Sequence, residues 1–161
     1  MITIVNYGSG NINAITNIFD IQKIPYSVAS TPSQLDIAKK IILPGVGSFD
    51  HCMKKLNQSG LIESLSRKVL QEKIPVLGIC IGLHLMAIKS EEGIMNGLGW
   101  INGIVRRFDE SQLKEMPKIP HMGWNSISVK SSKHLFKGID PERGFYFIHS
   151  YYIDIADANE V

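Results

Sequence analysis

The sequence has little cysteine, little charge imbalance and no long apolar run, and each scarcity excludes a class. Cys52 and Cys80 are the only cysteines in 161 residues. Two are too few for a disulfide framework, and a reactive thiol suits a reducing compartment. Seventeen basic against fifteen acidic side chains leave a formal net charge of +2. That is no electrostatic case for nucleic acid or an anionic membrane. No apolar stretch approaches the ~18 residues of a membrane span. Met1 to Asn6 lacks a basic n-region and is too short an apolar run for a signal peptide. There is no internal repeat, linker or low-complexity tract. A hydrophobic fraction of 44% with 20% charged residues is that of an ordinary globular protein. The expectation is one cytoplasmic domain over residues 1–161, with a real core and no nucleic-acid or membrane partner.

What is present is centred on Ile74 to Met86. Pro75 to Ile79 is an apolar run of strand length. Leu83, Leu85 and Met86 follow with helical spacing. Between them stands Gly78-Ile-Cys80-Ile-Gly82. Gly-x-Cys-x-Gly is the cysteine form of a nucleophile elbow, a sharp strand-to-helix turn that lifts the central side chain above a sheet. A helix starting at Ile81 points free N–H groups at the sulfur and favours thiolate. Most free cysteines are core fillers, and Cys52 reads as one. The glycine frame sets Cys80 apart.

Upstream, strands are predicted over Ile2–Asn6, Tyr26–Ala29 and Lys40–Leu43. Helical spacing covers about Asn13 to Gln22, with Ile15, Ile18 and Phe19 on one face. Thr31-Pro32 is a helix start. Helices are also predicted over Asp50–Leu56 and Ile62–Leu70. The first half is thus β-loop-α repeated, which indicates a parallel sheet with helices on both faces. Three loops, Gly8–Gly10, Gly45–Gly47 and Cys80–Gly82, fall at strand carboxyl ends, where sites form. Downstream, Gly97–Val105, Asn125–Val129 and Gly144–Ile153 read as strands of an added antiparallel part. Ala156–Val161 shows no closing element.

A cysteine that attacks an amide needs an oxyanion hole and a base. The Pro44-Gly-Val-Gly47 loop can turn a peptide N–H inward at little steric cost. The candidate bases are His51, His84, His121, His134 and His149, and spacing alone selects none. His84 lies four residues after Cys80, on the first turn of the elbow helix.

Four segments occur together in this order: Leu-Pro-Gly-Val-Gly-Ser-Phe, Gly-Ile-Cys-Ile-Gly, Pro120-His-Met-Gly-Trp-Asn125 and Tyr146-Phe-Ile-His-Ser-Tyr-Tyr152. Together they resemble the class I glutamine amidotransferases, and among them the glutaminase subunits of imidazole glycerol phosphate synthase. The resemblance runs from about Met1 to Tyr152. It implies a three-layer, flavodoxin-like α/β fold with a largely parallel central sheet and an added antiparallel part. It implies that Cys80 attacks the side-chain amide of glutamine and that the ammonia passes to a (β/α)8 cyclase partner in histidine biosynthesis. It assigns Gly45, Val46, Gly47, Gly82, His84, His149, Ser150 and Tyr151 to the oxyanion and glutamine site. It places Asn11, Asn13, Pro120, His121, Met122, Gly123 and Trp124 toward the cyclase. No cofactor and no metal is implied.

Two departures go with it. His84 stands where the family usually has glutamine. The His-Pro-Glu motif that carries the family's base and its orienting acid occurs nowhere in the 161 residues, so the expectation is a domain that lacks this C-terminal segment. Two alternatives therefore stay open. One is a catalytically impaired binding or regulatory subunit. The other is an ammonia supplier to a different synthase, such as one making surface sugars.

Overall fold

The computed structural model describes residues 1–112, 119–129 and 135–155. His134 and Ala156–Val161 lie outside them. The first half builds one parallel sheet from short apolar runs. β1 (Ile2–Val5) lies between β2 (Tyr26–Ala29) and β3 (Lys40–Gly45), and β4 (Val76–Cys80) extends the sheet beside β3. The register sets Ile42 against Leu77 and Gly45 against Cys80. The oxyanion-loop candidate and the elbow therefore leave the sheet side by side.

The connections are helical, as parallel pairing requires. α1 (Ile12–Ile21) starts at Asn11, whose side-chain oxygen accepts the Ala14 N–H at 3.1 Å. A cap of this kind contributes about 1 kcal/mol. The half-buried stripe of α1 is Ile12, Ile15, Thr16 and Phe19, whereas Ile18 is 59% exposed. Residues 15 and 19 share a face at 3.6 residues per turn, and residue 18 falls to its side. α2 (Pro32–Leu35) opens with Pro32, and Gln34 reaches back to the Thr31 N–H at 3.1 Å. α3 (Phe49–Gln58) buries Phe49, Cys52, Met53 and Leu56, spaced one and two turns apart. Cys52 is fully buried in the core with Val5, Leu43, Leu61 and Leu65. The predicted helix over Ile62–Leu70 divides into α4 (Ile62–Ser66) and a π-helical turn over Arg67–Gln71.

After β4 the elbow helix α5 is a single turn, Ile81–His84. Leu85 and Met86 are buried beyond it, while Leu83 is exposed. The second half differs in detail from its sequence pattern. Of Gly97–Val105, only the end is strand: β6 covers Gly103–Arg107, flanked by β5 (Lys89–Ser90). The preceding residues turn instead, their N–H groups taken by carbonyls of the segment after α5, such as Leu98 to Leu85 and Trp100 to Met86. The strand expected over Asn125–Val129 lies earlier, at β7 (His121–Asn125). Gly144–Ile153 is two strands in different sheets. β8 (Phe145–His149) pairs antiparallel with β7, and β9 (Tyr151–Ile155) pairs antiparallel with β6. The chain changes sheets at Ser150.

Candidate active site at the end of strand β4

Cys80 occupies φ 55° and ψ −124°. A non-glycine residue in that region is strained and persists only where its surroundings impose it. Here the surroundings are two glycines. A Cβ on Gly82 would lie 1.9 Å from the Leu43 carbonyl oxygen, and one on Gly78 would lie 2.4 Å from Leu83 Cα. Hydrogen at both positions lets α5 fold back over β4 and press against β3. The result is an exposed thiol at the apex of the turn. Gly45 is packing for the same turn, since its Cβ would meet the Gly82 nitrogen at 2.6 Å.

A cavity of about 250 Å³ opens at the thiol. Gly47, Cys80, Ile81, His84, Glu92, Pro120, Ile148, His149, Ser150 and Tyr151 line it. Gly47, His84, His149, Ser150 and Tyr151 are thus brought together with Cys80. Val46 is not among these linings. Its N–H donates to Ser9 Oγ at 3.3 Å, the Ser9 hydroxyl donates to its carbonyl at 2.9 Å, and the Cys52 thiol lies 3.3 Å from that carbonyl. Val46 lines a second cavity with Gly8, Ser9, Gly10, Asn11 and His51. Beneath it the buried Tyr7 hydroxyl donates to the Pro44 carbonyl at 2.8 Å. Burial first, and the Cys52 thiol second, hold that phenol well above its ordinary pKa, so it remains a donor.

Ile81 is the first residue of α5, and its N–H has no partner within the helix. The residue after the nucleophile supplies an oxyanion donor in elbows of this kind. Gly47 stands at the same cavity with φ +109°. The two N–H groups are the local donors the geometry offers.

His84 faces the cavity as a neutral ring. Burial lowers its pKa, and the neighbouring His149 lowers it further. Its Nδ1 is buried with no hydrogen-bond partner among the described residues. His149 and His121 are bonded throughout. His149 Nδ1 lies 2.8 Å from the Tyr151 carbonyl, His121 Nδ1 lies 3.0 Å from His149 Nε2, and Asn125 Nδ2 lies 2.9 Å from His121 Nε2.

Glu92 escapes sequence reasoning. In a Ser-Glu-Glu run it reads as a solvated charge, yet its carboxylate borders the thiol's cavity and accepts the Phe49 N–H at 3.0 Å. The reciprocal tie is Asp50, which accepts the Ile94 and Met95 N–H groups. Only the pairing of α3 with this loop brings Glu92 there. Among the described residues, no group of three or more His, Cys, Asp or Glu side chains is placed to hold a metal ion.

Pro120 is at the cavity and His121 points to His149, whereas Met122 and Trp124 are exposed on the other face of β7, Trp124 at 72%. Their cross-strand partners Ile148 and Tyr146 are exposed too, so four apolar side chains share one surface. Asn11 and Asn13 are exposed at the start of α1.

A cysteine on a strained strand-to-helix elbow beside a glycine loop has the arrangement of a thiol nucleophile. The model of the glutamine amidotransferase class-I family matches residues 4–160, and the chain belongs to that family. Within it the similarity is to imidazole glycerol phosphate synthase subunit HisH: 48% identity with that of Bdellovibrio bacteriovorus over 96% of this chain and 76% of the relative. For that of Leptospira interrogans the figures are 40%, 100% and 79%. Two crystal structures share the fold. One, of a glutamine amidotransferase, has a TM-score of 0.57 and 18% identity, covering 77% of this chain and 62% of its own. The other, from Thermoplasma acidophilum, has a TM-score of 0.62 and 19% identity, covering 97% and 68%.

Proposed function

We propose that the chain is the glutaminase subunit of an imidazole glycerol phosphate synthase and that Cys80 performs the chemistry. The observation that carries this is Cys80 itself, held at positive φ at the mouth of a cavity sized for one small amino acid. Cys80 Sγ attacks the side-chain carbonyl carbon of glutamine. The Gly47 and Ile81 N–H groups receive the developing oxyanion, a contact worth several kcal/mol in the transition state. Collapse expels ammonia, with a proton delivered to the leaving nitrogen, and leaves a thioester. Water then hydrolyses the thioester to glutamate and restores the thiol. Glu92 is the carboxylate placed to hold the substrate's α-ammonium, and the Ser150–Tyr151 peptides border the same substrate.

The ammonia serves a (β/α)8 cyclase, which uses it in histidine biosynthesis. Ammonia that reached bulk water would be protonated and lose its nucleophilicity, so a partner packed over the rim would keep it usable. The Met122, Trp124, Tyr146 and Ile148 surface suits that partner, since an exposed apolar patch with tryptophan is the composition of an interface core. Among the described residues no helix is long and apolar enough to cross a membrane. With a reactive thiol, that supports a cytoplasmic setting.

His84 supports a second assignment for the proton. Its ring lines the thiol's cavity and stays neutral, because burial and His149 lower its pKa, and a neutral imidazole beside a thiol is a candidate to take its proton. Glutamate release measured with a cyclase present, in the parent chain and in Cys80→Ala, tests the function. His84→Gln then tests the proton assignment, because that variant keeps hydrogen bonding and loses basicity.

A further inference from the structure

The two histidines across strands β7 and β8 form a closed hydrogen-bond chain whose proton positions can be deduced. A carbonyl only accepts, so His149 Nδ1 carries the proton it gives to Tyr151 at 2.8 Å. In the neutral ring Nε2 is then a lone pair, and the 3.0 Å contact requires His121 Nδ1 to donate to it. His121 Nε2 is in turn a lone pair that takes the Asn125 amide N–H at 2.9 Å. All four ring nitrogens are used and neither ring needs a charge. Phe147 stacks on His121 with centroids 4.7 Å apart, and Phe108 meets His149 edge-on at 5.1 Å. The aromatic rings limit rotation of either imidazole.

This hydrogen-bond chain ends at the junction between two sheets. His149 is the last residue of β8, Tyr151 is the first of β9, and Ser150 between them belongs to neither sheet. The bond from His149 to the Tyr151 carbonyl closes that junction, and residues 149–151 are a wall of the Cys80 cavity.

We infer that His121 is a positioning residue for the substrate pocket. Its Nδ1–H holds the His149 tautomer that the Tyr151 carbonyl selects, and His149 in that tautomer fixes the Ser150–Tyr151 wall against which the substrate lies. The expectation from sequence placed His121 toward the partner, but its ring points into the molecule while Met122 and Trp124 take the outer face. The inference rests on the glutaminase function proposed above.

The test compares His121→Phe with His121→Asn in the chain mixed with a (β/α)8 cyclase. Phenylalanine keeps the stack on Phe147 and removes the donor. Asparagine restores an N–H near the Nδ1 position. His121→Phe is expected to raise KM for glutamine by about threefold to tenfold, the worth of one such bond, with kcat changed by less than about twofold. His121→Asn is expected to recover most of it. Nitrogen NMR of the imidazoles supplies a readout that a merely structural role would not move. His149 is expected as the Nδ1–H tautomer in the parent and in His121→Asn, and as a mixture in His121→Phe. An unchanged KM and tautomer in His121→Phe would overturn the inference, as would an Nε2–H His149 in the parent. Failure of the glutaminase function shows differently, as no Cys80-dependent glutamate release in the parent. The tautomer measurement then still judges the pair.

Discussion

Ser9 grips both polar ends of Val46: its hydroxyl oxygen lies 2.9 Å from the Val46 carbonyl oxygen and 3.3 Å from the Val46 nitrogen. The contact joins the loop after β1 to the loop after β3. Ser9→Ala removes both contacts from a part-buried peptide whose carbonyl keeps only the Cys52 thiol among the described residues, and is expected to cost about 1 kcal/mol. For a chain of this size each kcal/mol lowers Tm by roughly 2–4 °C. Thermal unfolding measures it, and an unchanged Tm would remove the contact from the account of what holds this loop.

The elbow allows no side chain at position 82. A Cβ there would stand 1.9 Å from the Leu43 carbonyl oxygen, a backbone atom that cannot swing aside. Gly82→Ala must therefore push α5 away from β3, at a cost of about 3 kcal/mol or more. Labelling of Cys80 by a glutamine-mimicking electrophile is expected to fall sharply in this variant. Gly60→Ala is the control, since nothing lies near its Cβ position and only its φ of +70° resists the change.

His84 makes stability depend on pH in a definite direction. Its folded pKa lies below the ordinary 6.5, so the unfolded chain binds the proton more readily. Stability is complete above the unfolded value and falls as pH drops from about 6.5 toward the lowered folded value. His84→Gln removes that component. The Tm difference between pH 7.5 and pH 5.5, measured by calorimetry, is expected to be smaller in His84→Gln than in the parent.

Trp124 is 72% exposed and meets Tyr146 edge-on, with ring centroids 5.9 Å apart. Trp124→Ala is expected to leave Tm within about 2 °C, as for a surface substitution. It should weaken binding of the (β/α)8 cyclase by about 30-fold, the scale of an interface hot spot. Titration calorimetry reads both binding constants. Equal affinities would move the partner surface elsewhere.

The parallel sheet was legible because each of its strands is an apolar run between a turn signal and a helix pattern. The elbow was legible because close packing demands glycine at fixed spacing around Cys80. The second half was not. Alternation continues unbroken across Ser150, so nothing local marks where β8 ends and β9 begins. The segment Gly97–Ile101 is apolar enough for a strand, but its N–H groups are claimed by carbonyls of the Leu85–Ile88 segment, a tertiary choice. Glu92 was missed for the same kind of reason, since α3 and not its own neighbours brings it to the cavity. For Trp124 the residues alone left core and surface equally open; the resemblance pointed to the surface, and its pairing across β7 and β8 places it there.

The central claim is that Cys80 forms a thioester with glutamine, and the most direct test is to trap it. The chain with a (β/α)8 cyclase and labelled glutamine is quenched in acid, and its mass is measured. The account predicts a glutamyl adduct on Cys80 that is absent in Cys80→Ala, together with glutamate release that the same substitution abolishes. Glutamate release that persists in Cys80→Ala would contradict it.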